Sequence, residues 1–187
     1  ASVGDTGDPE ANKDNSVTSI ASATGQSFLL DNSQSNANGA KLDYLNVDSR
    51  NESVLAETFA KNATLGSGVE INTMATGQSI DVRGVDTVTI DDADMSGTSV
   101  DASTFAKDSA LGNGLNFNTF ANGQSISIQG AASVDVNTEL SGSSVDSSID
   151  TRGSTRKGNF TNGPGLKINN QAVGTGVSIS GANPQPQ

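Results

Sequence analysis

The sequence predicts an all-β repeat protein, built of stacked β-solenoid coils or cross-β layers of about 46–52 residues in roughly three units. Three observations predict it. At an offset of 46, residues 58–90 match residues 104–136 without a gap, with 16 of 33 positions identical. Apolar and polar residues alternate over short runs, as half-buried strands require. The stretch "ATGQS" at Ala23–Ser27 returns unchanged at Ala75–Ser79, as "ANGQS" at Ala121–Ser125 and as "AVGTG" at Ala172–Gly176.

Taken along the chain, residues 1–16 lie outside the repeat and read as a flexible or donated arm. Residues 17–57 form a first partial repeat in which Leu42 and Tyr44 fall where Val88 and Ile90 stand, and Val54 falls on Val100. The second unit is 58–103 and the third 104–148, with "MSGTSVDAS" at Met95–Ser103 answered by "LSGSSVDSS" at Leu140–Ser148 after the loss of one residue. Residues 149–187 form a basic partial repeat, where "NGPGLKINNQAVGTGVSISG" keeps the glycines and apolar pairs of the earlier copies. Expected strands are three to five residues long, such as Val69–Thr73, Ile80–Val82, Leu115–Phe117 and Leu166–Ile168. Asn38-Gly39, Asn113-Gly114, Asn122-Gly123 and Asn162-Gly163 read as turns, and ATGQS as a corner that Gly25, Gly77 and Gly123 permit. Whether that corner is a hairpin or an arc within one layer stays open at this point.

Composition fits thin layers better than a thick core. Leu, Ile, Val and Phe supply 39 of 187 residues, and aromatic residues only 4%. Polar ladders must then carry part of the stability. Stacking at the strand spacing of about 4.8 Å would put Gln26, Gln78 and Gln124 in one column and Asn72, Asn118 and Asn169 in another, each amide bonding the next. Apolar seams would follow: Ile71 with Phe117 and Ile168, Ile80 with Ile126 and Val177, and Phe59 with Phe105.

Charge and inventory exclude several function classes. The formal net charge of -11 argues against a nucleic-acid partner, which needs clustered Lys and Arg. Residues 1–148 carry 20 acids against 6 bases, a net of -14, and residues 149–187 one acid against four bases, a net of +3. The two ends are electrically complementary, which reads either as scattered solvated surface charge or as head-to-tail attraction between subunits. No apolar run is long enough to span a membrane. The chain begins "ASVGDTGDPE" without Met, as a secreted protein does after signal removal, so an extracellular or cell-surface location is expected. With no His and no Cys, the usual general base and nucleophile pairs cannot be assembled, so no catalytic residue is expected. Asp81, Asp86, Asp91 and Asp92 offer carboxylates for a glycosidase pair, but read better as solvated strand-edge acids. No cofactor is expected. For metal, the candidate is a calcium turn at Asp92, Asp94 and Ser96, which places oxygens at alternate positions before Gly97 but lacks the closing Glu.

On "LGNGLNFNTFANGQS" and the other imperfect Gly, Asn, Gln and Ser-rich repeats, residues 20–182 resemble the secreted functional amyloids of bacterial biofilms, in particular the Fap-type fibre subunits and more distantly curlins. The resemblance implies an extracellular fibre that scaffolds a matrix or promotes adhesion. The partner expected is the chain itself, in a homopolymer that grows because a heterologous contact does not close. Matrix polysaccharide or an outer-surface nucleator are further partners. The runner-up is a monomeric all-β adhesin for glycan or protein, and a carbohydrate-active β-helix comes third.

Overall fold

The computed structural model describes residues 17–34, 39–65, 68–112, 114–156 and 166–181. Among them are thirteen strands and no helix: β1 Val17–Asp31, β2 Lys41–Asp48, β3 Ser53–Phe59, β4 Thr64–Leu65, β5 Val69–Arg83, β6 Thr87–Asp94, β7 Ser99–Phe105, β8 Ala110–Leu111, β9 Asn116–Ala131, β10 Ser133–Glu139, β11 Ser144–Asp150, β12 Thr155–Arg156 and β13 Lys167–Gly181. The chain is all-β with parallel sheets. No strand pairs with the next one in sequence. Instead β1-β5-β9-β13 form one sheet, β10-β6-β2 a second, β11-β7-β3 a third and β12-β8-β4 a fourth. All of these pairings are parallel, which removes the hairpin alternative at ATGQS.

The registers locate the sequence's one-residue shift. Ile71 faces Phe117, Gln78 faces Gln124 and Val88 faces Val134, each 46 apart. Past an irregularity between Val136 and Thr138, Ser99 faces Ser144, 45 apart. One expected pairing fails. Leu45, not Tyr44, faces Ile90, because β2 carries an extra residue there and Tyr44 bulges out at φ 63° with its side chain 77% exposed.

The strands containing ATGQS are 15 or 16 residues long, far longer than expected, and the motif lies inside them rather than at a turn. Gly25, Gly77 and Gly123 are not among the glycines at positive φ. What demands glycine is space: a Cβ on Gly77 would stand 2.5 Å from Met95 Cε and 2.7 Å from the Gly123 carbonyl oxygen. The alternation changes phase inside the motif, with Val69, Ile71, Thr73 and Ala75 buried on the N-terminal side of Gly77 and Gln78, Ile80 and Val82 buried on the C-terminal side. Two consecutive residues face inward, so the strand changes its inward face at the glycine, where the Gly77–Gly123 pair drops out of the ladder while the register continues unchanged on both sides. Asn122-Gly123 accordingly sits in strand. Gly39 and Gly114 do take positive φ, of 83° and 76°, while Asn38, Asn113 and Asn162-Gly163 lie outside the described residues, as does the proposed arm 1–16.

The real corners fall elsewhere. Asn51, Gly97 and Gly142 share one, at φ 57°, 71° and 69°, and Asn62, Asp108 and Gly153 share another, at 53°, 51° and 72°. Asn and Asp tolerate this conformation better than other side chains, which is why they alternate with Gly in the columns. Inside, three apolar clusters form. One joins Leu65, Val69, Ile71, Leu115 and Phe117, a second Ile80, Val82, Val88, Ile90, Ile126 and Ile128, and a third Val54, Ala75, Met95, Val100 and Ala121. Full burial of each large side chain contributes about 1.5–3 kcal/mol.

Candidate functional site

The sequence points to columns of stacked side chains, and the structure places each of them. Gln78 and Gln124 are buried, and Gln124 Nε2 donates to Gln78 Oε1 at 3.1 Å. Gln78 Nε2 donates in turn to the carbonyls of Val47 and Asp94, at 2.9 and 3.0 Å. The amides thus tie the bent strand to the sheet across the interior. At the ends the column changes: Gln26 is in register with Gln78 but donates to the Asp48 carbonyl at 2.5 Å, and at the other end Thr175 Oγ1 donates to Gln124 Oε1 at 3.1 Å. Asn118 Nδ2 donates to Asn72 Oδ1 at 2.8 Å on the outward face, and Asn169 is in register with Asn118.

The apolar seams divide in two. Ile71, Phe117, Ile80 and Ile126 are buried. Phe59 and Phe105 stack with ring centroids 4.9 Å apart, yet on the outward surface, where Phe59 is 45% exposed and Lys107 Nζ lies 5.0 Å from the Phe105 ring. Alternation explains it: Thr58 and Thr104 take the inward positions, so their neighbours face out.

Those threonines are what sequence reading missed. Thr58, Thr73, Thr104 and Thr119 are buried, and their hydroxyls run in a chain of 2.8 Å contacts from Thr58 to Thr73, Thr104 and Thr119. A second missed device sits at the corners. Thr98 Oγ1 accepts the Glu52 N–H at 3.3 Å and donates to the Ser49 carbonyl; Ser109 Oγ accepts the Ala63 N–H at 3.2 Å and donates to the Ala60 carbonyl at 2.7 Å. One set later, Ser143 and Ser154 do the same for Thr98 with Met95 and for Ser109 with Ala106. Each hydroxyl staples the preceding corner, satisfying two backbone groups that a turn would leave open. The signal was present as recurring Ser and Thr at 98 and 143, and at 109 and 154.

The edge strand β13 is where the molecule stands open. The sheet that holds β13 has four strands and the other three sheets have three. Nothing among the described residues closes over β13, so its inward residues Ile168, Val177 and Ile179 are 54%, 48% and 53% exposed. Their counterparts Phe117, Ile126 and Ile128 are at most 1% exposed. At the other end Ile20 and Leu29 face outward, exposed, where β5 carries Asn72 and Asp81. Ser49 takes the interior place of Met95 and Leu140, and its buried hydroxyl is without a partner.

Several charged groups are paired. Arg50 binds Asp48 and holds its carboxyl down to about 2, and reaches Asp94 at 3.4 Å. Arg152, with Lys107 at 2.9 Å, holds Asp150 well below the usual carboxylate range. Asp81 pairs with Arg83, and Asp86 accepts the Gly39 N–H. Of the calcium candidates, Asp94 is engaged by Arg50 and by the Ser96 N–H at 2.7 Å, while Asp92 is exposed. No group of three metal-ligating side chains comes together among the described residues. An open pocket of about 390 Å³ on the outward face of the β10-β6-β2 sheet is lined by Asp43, Tyr44, Thr89, Asp91 and Asp135. No helix among the described residues is long and apolar enough to cross a membrane. Comparison with protein-family models, curated proteins and solved structures finds no match to this chain.

Proposed function

We propose that the sets β1–β4, β5–β8 and β9–β12 are successive coils of a β-solenoid, and that the chain is the structural subunit of an extracellular filament of the functional-amyloid kind, assembled end to end. The observation that carries this reading is the incomplete last coil. Three inward apolar side chains of β13 lie half exposed in positions that are sealed one strand earlier. Bare parallel edges with apolar pockets behind them are templates for further strands. X-ray fibre diffraction and electron microscopy of the concentrated protein test the proposal. Long uniform filaments with a meridional reflection near 4.8 Å are expected. Monodisperse particles without that reflection would contradict it.

A second reading, an adhesin for a matrix polysaccharide, draws on the pocket around Tyr44. An exposed ring beside three carboxylates suits stacking and hydrogen bonding to a sugar. A glycan array in which Tyr44→Ala abolishes retention supports it, and an array without any retained glycan removes it.

A further inference from the structure

The unequal strand count constrains how a second copy can add. A copy set straight on top would place its β2, β3 and β4 on β10, β11 and β12, since those three sheets each lack a fourth strand. Its β1 would then need the place that β13 already holds. We propose that β13 takes the place of β1 in the next copy: strand exchange, in which each subunit's β13 pairs with its own β9 on one edge and with the next subunit's β5 on the other. The inference rests on the end-to-end reading above. It identifies the partner surface as a second copy whose β1 has been displaced.

Residue by residue, β13 fits against β5 at least as well as β1 does. Position for position, Ile168 replaces Ser19 on Ile71, Val177 replaces Phe28 on Ile80, and Ile179 replaces Leu30 on Val82. The three half-exposed side chains would thus be buried against residues that are themselves inside. On the outward face, Asn169 replaces Ile20 opposite Asn72, extending the amide column, and Ser178 replaces Leu29 opposite Asp81. Ile20 and Leu29, 61% and 65% exposed where β5 is polar, no longer interrupt that polar face once β1 is displaced. Lys167 replaces Thr18 opposite Glu70, so a neutral contact becomes an ion pair. Exchange of one strand for an equivalent one keeps the ladder count constant and adds the contacts of β2–β4, which favours the assembled state.

The chain has no cysteine, so introduced pairs report on single contacts. Adjacent strands lie about 4.8 Å apart, within disulfide reach, whereas strands two apart do not. Asn169→Cys is mixed with Asn72→Cys, and separately with Ile20→Cys, under mild oxidation during assembly. In an equimolar mixture about half of the chains should be joined, as dimers, in the first case, since only half of the junctions of each variant meet the other variant, and few in the second. Ser178→Cys with Asp81→Cys repeats the test should Asn72→Cys assemble poorly. Joining through Ile20→Cys alone overturns the exchange and leaves end-to-end stacking standing. Filaments in which neither pair is joined also overturn the exchange. Absence of both assembly and cross-links overturns the stacking reading, and the exchange with it.

Discussion

Phe117 on β9 and Ile168 on β13 are register partners, inward-facing residues of similar character, yet the first is sealed and the second is 54% exposed. Gly77 and Gly174 make the same comparison in the backbone. A methyl group on Gly77 would meet Met95 and the Gly123 carbonyl, while one on Gly174 meets nothing within 4 Å. The inner strands and the edge strand of this sheet are near copies in sequence. What differs is whether a further strand lies beside them, so environment here is set by position in the sheet.

Substitutions paired across the comparison should therefore separate sharply. Phe117→Ala should destabilise by about 3–5 kcal/mol in denaturant unfolding, and Ile168→Ala by less than about 1 kcal/mol in dilute protein. A smaller but clear gap is expected for glycine: Gly77→Ala should cost about 1–3 kcal/mol through the forced shift of Met95 and the adjacent strand, and Gly174→Ala close to nothing. Gln78→Leu should cost about 1–3 kcal/mol, because the Val47 and Asp94 carbonyls and the Gln124 amide each lose a partner. Gln26→Leu, at the end of that column, should cost less. Ser49→Leu works in the opposite direction, filling the place that Met95 and Leu140 fill and removing an unpaired buried hydroxyl, for a gain of about 1 kcal/mol. The smallest effect is that of acid. Asp48 and Asp150 have depressed carboxyl pKa values, so their contribution is complete above the ordinary carboxylate range and is lost as pH falls from about 4 toward 2. Thermal melting should shift downward across that window, and Arg50→Gln should reduce the shift.

Much of the arrangement was legible from one number. The offset of 46 names the partners Phe59 and Phe105, Ile71 and Phe117, and Gln78 and Gln124 before any coordinate is known. It succeeds because parallel in-register pairing places like on like, so that repetition in sequence is itself a contact map. The inside and outside faces were less legible. ATGQS reads as a corner because Gly marks turns, but here glycine answers a close approach of backbone and Met95, and the bend is absorbed within a strand. The offset pairs Phe59 with Phe105, as observed, but does not say which face the pair takes; their small neighbours Thr58 and Thr104 lie inside, where a hydroxyl chain links them across the interior. Tyr44 missed its pairing by one residue because a bulge leaves no trace in an offset.

The proposed assembly makes β13 an edge that another copy completes. Amide hydrogen exchange on β13 and β9 over a range of protein concentrations is its sharpest test. Residues 167–181 should exchange fast in dilute protein and become protected as concentration rises, while residues 116–131 stay protected throughout. Fast exchange of 167–181 at every concentration would contradict it.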